Sequence, residues 1–189
     1  MPLAYDLPPI SEDDYLAREL GANERHEYVA GQVYLMAGSS KNHNRIALNI
    51  ASYFNQLTRG SSCQVYASDM KVRIKERNSY YYPDVVVSCD NNDNNDYFLD
   101  YPCLIIEVTS DSTLRKDYLE KSLAYQSISS LQTYIIVAQD KYQVDILRRN
   151  AKGYWDLSQM TGLEQSIELP CPISHLSLQE IYQDISFNT

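Results

Sequence analysis

The chain has 189 residues, 44% of them hydrophobic and 22% charged. That is the composition of an ordinary soluble globular domain, long enough for one sizeable core. A net charge of −9 argues against a general nucleic-acid binder, and no apolar run nears the ~20 residues of a membrane span.

The start, Met1-Pro2-Leu3-Ala4-Tyr5-Asp6, has neither the basic nor the apolar region of a secretory signal. One domain over 1–189, cytoplasmic and without a membrane partner, is the expectation. Ser11-Glu12-Asp13-Asp14 resembles a capping box and opens a short helix that ends near Gly21. Residues 24–37 read as a hairpin turning at Ala30-Gly31. An amphipathic helix follows over 42–58, with Ile46, Ile50, Phe54 and Leu57 on one face and Gly60 past its end. His43, near its start, is open to two readings: a residue lining a site, or a satisfied surface or cap histidine.

Two long strands are expected next, over 65–75 and 80–88. Residues 41–80 hold seven cations against two acids, so this stretch is locally basic. Lys71, Arg73, Lys75 and Arg77 alternate with Val72 and Ile74 and would share one strand face. That face reads either as a phosphate-facing stripe or as the solvated side of a hairpin. Residues 90–96 form a polar loop without the glycine and closing glutamate of an EF-hand. A buried strand, a Ser110-Asp111-Ser112 cap, a helix over 113–128 and a strand over 133–138 complete a right-handed parallel crossover; the other pairings are expected to be antiparallel. Residues 143–149 and 153–160 look like a hairpin with Trp155 as a core plug, and Ser177-Leu178-Gln179-Glu180 caps a last helix. Cys63, Cys89, Cys103 and Cys171 are far apart with no Cys-x-x-Cys pair, which argues against a zinc ribbon or a disulfide framework. Reduced thiols are expected, with Cys103 in the core.

Two acids stand out. Asp84 interrupts Tyr80-Tyr81-Tyr82-Pro83-Asp84-Val85-Val86-Val87, and Glu107 interrupts Leu104-Ile105-Ile106-Glu107-Val108. Both runs read as strands buried on two faces. A lone ionised carboxylate there costs several kcal/mol unless a cation compensates it. At about 100° per residue, Leu114, Tyr118, Lys121, Tyr125 and Ile128 fall within roughly 80° of arc, so Lys121 lies on the apolar stripe of its helix. It either snorkels from the rim of that stripe or serves the acids, and Asp117 could pair with it one turn away. Two buried acids and a buried lysine are the parts of a metal-dependent phosphodiester-cleaving site. A two-carboxylate glycosidase would explain the acids but not the lysine.

Pro83-Asp84 followed by Glu107 in an apolar strand resembles the PD-(D/E)XK nuclease superfamily. Glu24-Arg25-His26-Glu27-Tyr28, Gly31-Gln32-Val33-Tyr34, His43, Ser68-Asp69-Met70-Lys71-Val72, Tyr82-Pro83-Asp84-Val85-Val86-Val87, Ile106-Glu107-Val108-Thr109-Ser110-Asp111-Ser112-Thr113, Lys121 and Tyr134-Ile135-Ile136-Val137 follow in one order. The whole, from about residue 10 to 182, is similar to the Uma-type family of restriction-endonuclease-like proteins. Thr109 stands where the superfamily's Glu-x-Lys motif has lysine, and the family resemblance supplies that lysine from the next helix, here Lys121. The resemblance implies an α/β fold of mixed α+β type, a central mixed sheet flanked by helices. It implies Mg²⁺ or Mn²⁺ held by Asp84, Glu107 and the Val108 carbonyl, with Glu27 as a further carboxylate or simply a surface hairpin acid. DNA is the implied substrate and a homodimer the expected assembly. A catalytically weak nuclease fold acting in nucleic-acid binding or assembly is the alternative.

Overall fold

The computed structural model describes residues 8–36, 38–109 and 120–187. Helix α1 (Glu12–Glu19) begins at Ser11, whose hydroxyl accepts from the Asp14 amide. Strands β1 (His26–Val29) and β2 (Gln32–Leu35) form the expected hairpin. Its turn needs Gly31: φ is +96°, and a Cβ there would meet Pro9 Cβ at 2.7 Å. Helix α2 (Lys41–Leu57) is capped by the Ser40 hydroxyl and buries Ile46, Ile50 and Phe54. Fully burying one such side chain stabilises by about 1.5–3 kcal/mol.

The two long strands are each broken in half. The first becomes β3 (Gln64–Ala67) and β4 (Lys71–Ile74); the second becomes β5 (Ser79–Tyr81) and β6 (Val85–Ser88). The first break is at Ser68, in the left-handed region at φ 58°, where a non-glycine residue is strained. Its amide donates to the Asp84 carbonyl at 3.0 Å, tying that break to the bend at Asp84. The halves then enter different sheets. Strands β1, β2, β4, β5 and β7 (Phe98–Leu99) make a five-stranded sheet. Strands β3, β6, β8 (Pro102–Thr109), β9 (Thr133–Ala138), β10 (Val144–Arg149) and β11 (Trp155–Met160) make a six-stranded one.

Strands β8 and β9 run parallel, as the crossover predicts. The β4–β7 pair is also parallel, which corrects the expectation that all else is antiparallel. A further hairpin, β12 (Ser166–Pro170) with β13 (Ile173–Ser177), was not foreseen; its alternate residues Ile167, Leu169 and Leu176 are buried. Between β8 and β9 the short helix α3 (Ser122–Tyr125) is described, while residues 110–119 are not. The expected cap at 110–112, and Leu114, Lys116, Asp117 and Tyr118 of the apolar stripe, therefore lie outside the described residues. Helix α4 (Leu178–Ile181) carries a complete capping box of Ser177 and Glu180.

The six-stranded sheet is covered on both faces, which is why all eight residues of β8 are buried. One face packs Val85, Val87, Leu104 and Ile106 against α2, α4 and the β12–β13 hairpin. The other packs Val86, Ile105 and Tyr134 against Val72, Ile74 and Tyr81 of the smaller sheet and Tyr125 of α3.

Three expectations change. The basic residues 71–77 do not share a solvated strand face, because Lys75–Arg77 form a 3₁₀ turn. Lys71 is buried with its ammonium 5.6 Å from the Tyr82 ring centroid, and Arg73 makes two 2.7 Å bonds to Asp100. Trp155 is only partly buried and stacks under Arg149 at 4.8 Å. The cysteines are paired, Cys63 with Cys89 and Cys103 with Cys171. Spacing in the chain hid this because the partners meet through sheet register. Gln64 faces Ser88, so the next residues outward are Cys63 and Cys89. Cys103 is buried, as expected.

Candidate active site

The β6–β8 register pairs Val85 with Ile106 and Val86 with Ile105. One step further places Asp84 opposite Glu107, at the end of two neighbouring inner strands of the six-stranded sheet. Asp84 sits just ahead of β6, at the bend where the chain leaves the smaller sheet. Its Oδ2 accepts from the Val108 amide at 2.7 Å, standing in for the carbonyl that a longer β6 would offer. A strand residue's N–H and C=O face the same side, so the Val108 carbonyl also faces this corner. His43 Nε2, from the first turn of α2, lies 3.2 Å from the same Asp84 oxygen. His43 is half-buried and partnered by Asp84.

Glu107 shares the face of Ile105, two residues before it, which lies between the sheets and α3. Lys121, immediately before α3, meets it: Nζ is 3.0 Å from Glu107 Oε1 and 2.8 Å from Glu27 Oε1. All three are buried. Lys121 thus points inward, and Asp117 lies outside the described residues. Glu27, on β1, is a buried acid and not a surface hairpin acid. The smaller sheet is what carries it across to the lysine.

Tyrosines complete the arrangement, and the sequence reading assigned them only to the core. The Tyr125 hydroxyl donates to Glu107 Oε1 at 2.9 Å. Burial, and then the Glu107 charge, push its pKa well above the ordinary value, so it remains a donor. The Tyr81 ring centroid lies 5.6 Å from the Lys121 ammonium, and its hydroxyl donates to Glu120 at 3.2 Å. Tyr125 follows Lys121 by four residues, one helical turn, and that spacing is the only signal that could have marked it. Thr109, in the usual lysine position, is fully buried, and among the described residues it is Lys121 that sets an ammonium beside Glu107.

Among the described residues, Lys121 joins the Glu27 and Glu107 carboxylates, and Asp84 lies opposite Glu107 in the strand register. Carboxylate oxygens of this kind suit a hard divalent cation. Asp84 and His43 are partly exposed, with side chains 17% and 19% accessible, whereas Glu107 and Lys121 lie beneath. The corner can therefore be approached from solvent on the Asp84 side.

Comparison with known proteins places this arrangement in context. A family model described as "Uma2: Putative restriction endonuclease" matches residues 12–179. Two proteins of Synechocystis sp. (strain ATCC 27184 / PCC 6803 / Kazusa) are related in sequence. "Uncharacterized protein slr1290" is 33% identical over 182 residues, covering 96% of this chain and 95% of that protein. "Uncharacterized protein sll1609" is 33% identical over 158 residues, covering 82% and 89% respectively. A crystal structure from Anabaena variabilis ATCC 29413, described as "a putative nuclease belonging to DUF820", shares the fold. Its TM-score is 0.71 at 16% identity, covering 92% of this chain and 97% of that one.

Proposed function

The chain belongs to the Uma2 family of restriction-endonuclease-like proteins, and we propose that it is a metal-dependent endonuclease hydrolysing phosphodiester bonds of DNA. The observation that carries this reading is the placement of Lys121 between Glu27 and Glu107, beside the bend at Asp84. A buried lysine shared by two buried acids, next to a third, is hard to justify as a stabilising device, since buried ion pairs rarely outperform apolar packing.

Asp84, Glu107 and the Val108 carbonyl would hold Mg²⁺ or Mn²⁺, a hard cation matched to oxygen donors. When bound, the ion would polarise the scissile phosphate and lower the pKa of a coordinated water. Lys121 would orient the attacking water or stabilise charge developing on the phosphate oxygens. Glu27 fixes that ammonium from the far side, and Tyr125 locks the Glu107 carboxylate by donating to it. His43 holds Asp84 in place, as does the Val108 amide. We further propose that residues 1–189 act as a single domain, as a homodimer in the cytoplasm.

The test is a cleavage assay on duplex, single-stranded and branched DNA with Mg²⁺, Mn²⁺ or EDTA. Cleavage should need the cation and vanish in Asp84→Asn and Lys121→Met. Cleavage that persists in EDTA, or survives either substitution, overturns the reading. One observation favours a second reading, a nuclease fold that binds or assembles without efficient cleavage. Arg73 and Lys75 are committed to Asp100 and Lys71 is buried, while the whole chain carries −9. Binding of DNA without cleavage under all cations would support it.

A further inference from the structure

The sulfurs of all four cysteines gather at one place. Cys63 precedes β3, Cys89 follows β6, Cys103 lies in β8 and Cys171 in the β12–β13 turn. Within the two bonded pairs, Cys89 Sγ also lies 3.4 Å from Cys171 Sγ and 3.7 Å from Cys103 Sγ. The sulfurs of Cys89, Cys103 and Cys171 all fall within 4.8 Å of one another, and Cys63 joins them through its bond to Cys89. A tetrahedral shell of four thiolates with metal–sulfur bonds of about 2.3 Å spaces its sulfurs about 3.8 Å apart. The contacts between the two pairs are already near that spacing. Cleaving the two S–S bonds would let the bonded sulfurs draw apart to it by rotation about χ1.

We propose that the reduced protein binds one thiophilic divalent cation, zinc in the first instance, through Cys63, Cys89, Cys103 and Cys171. This is a structural site independent of the nuclease reading. Asp84 precedes Cys89 by five residues, roughly 16 Å along β6, and offers oxygen where this cluster offers soft sulfur. The ion would clamp the edge strand β3, the middle of the sheet and the β12–β13 hairpin together, the same segments that the two disulfides join. Cys103 is buried while the other three are half-buried, so an ion can enter from the surface side.

The chemistry balances with a dithiol reductant. Two dithiols are oxidised to two disulfides as Cys63–Cys89 and Cys103–Cys171 become four thiols. Those thiols release four protons as they take up one zinc ion. An oxidant of the disulfide class reverses this: it takes up the electrons, the two protein disulfides re-form and the ion is released. The site would thus exchange metal for disulfides according to thiol redox state, because only thiolates are ligands.

The experiment is cobalt and zinc loading of the full chain after reduction and removal of the reductant. One equivalent of Co²⁺ should give thiolate-to-cobalt charge transfer and the intense visible bands of a tetrahedral sulfur site. Zinc should displace it stoichiometrically. Zinc should also shield all four thiols of the wild-type chain from a disulfide reagent, a readout that needs no variant. The bands should be lost in Cys171→Ser and in the oxidised protein, and persist in Asp84→Asn. Absence of charge transfer in the reduced chain, or four thiols that react equally fast with and without zinc, overturns the proposal. So does cobalt binding that survives Cys171→Ser but fails in Asp84→Asn.

Discussion

Strands β6 and β8 are held in two different ways at their two ends. At one end Asp84 and Glu107 face each other across the register, with Lys121, Glu27, His43 and Tyr125 gathered from three other segments. At the other end Cys89 and Cys103 are each bonded to a cysteine from elsewhere in the chain. The sulfur end is neutral and covalently tied, so it asks nothing of its surroundings. The acid end carries charge out of water and is stable only while each group keeps its partner. The sulfur end staples the fold, and the acid end is where stability has been given up for chemistry.

The comparison breaks most severely at Lys121. Lys121→Met should leave Glu27 and Glu107 buried without their cation. It should cost about 3–5 kcal/mol of stability and remove cleavage by a factor of about 10²–10³ or more. Urea denaturation and initial cleavage rates check both. An unchanged midpoint would mean that the acid end is less strained than its geometry implies. Reduction of the sulfur end acts on stability alone. With EDTA present so that no ion replaces the bonds, opening the two disulfides should cost about 2–4 kcal/mol each in the chain-entropy account. Denaturation with and without a dithiol measures it.

Asp84→Ala is the sharper probe of the acid end. From sequence, removing a lone acid from an apolar strand should relieve desolvation and leave the metal-free protein no less stable. The structure reverses that sign. Asp84 accepts from the Val108 amide at 2.7 Å, so its loss leaves a donor unsatisfied and should cost about 1–3 kcal/mol in EDTA. Thermal melts with and without Mg²⁺ test this, and metal-induced stabilisation should disappear with the substitution.

The smallest expected effect serves as a control away from both ends. Asp145, on β10, is buried, and that burial raises its carboxyl pKa above the usual aspartate value of 3.8 despite a hydrogen bond from Gln159. The folded state therefore holds this proton more tightly than the unfolded chain. Stability should fall as pH rises from the ordinary aspartate range through the raised value, and stay level above it. Asp145→Asn should flatten that slope while leaving cleavage and the sulfur cluster untouched. A slope that survives the substitution assigns the effect to another carboxyl.

Much of the site was legible before any coordinates. Asp84 and Glu107 are conspicuous because acids inside β-branched runs violate local pattern. The position of Lys121 follows from a period of 3.6 residues, which is a property of the helix alone. The capping of α1 and α4, the amphipathic face of α2, the β1–β2 hairpin and the β8–β9 crossover rest on equally local rules. What tertiary structure decided is how distant segments meet. The break of each long strand into two sheets gives no sign in a continuous β pattern, yet it puts Asp84 on a corner and brings Glu27 to Lys121. The basic run over 71–77 looked like one face until a 3₁₀ turn and Asp100 divided it. The four cysteines looked unrelated because their pairing depends on register between β3 and β6 and on a hairpin docking from residues 166–177. Hydrophobic period and capping are set within a turn or two of chain. Register, sheet assignment and side-chain partnership depend on contacts between residues tens of positions apart, and no local periodicity encodes them.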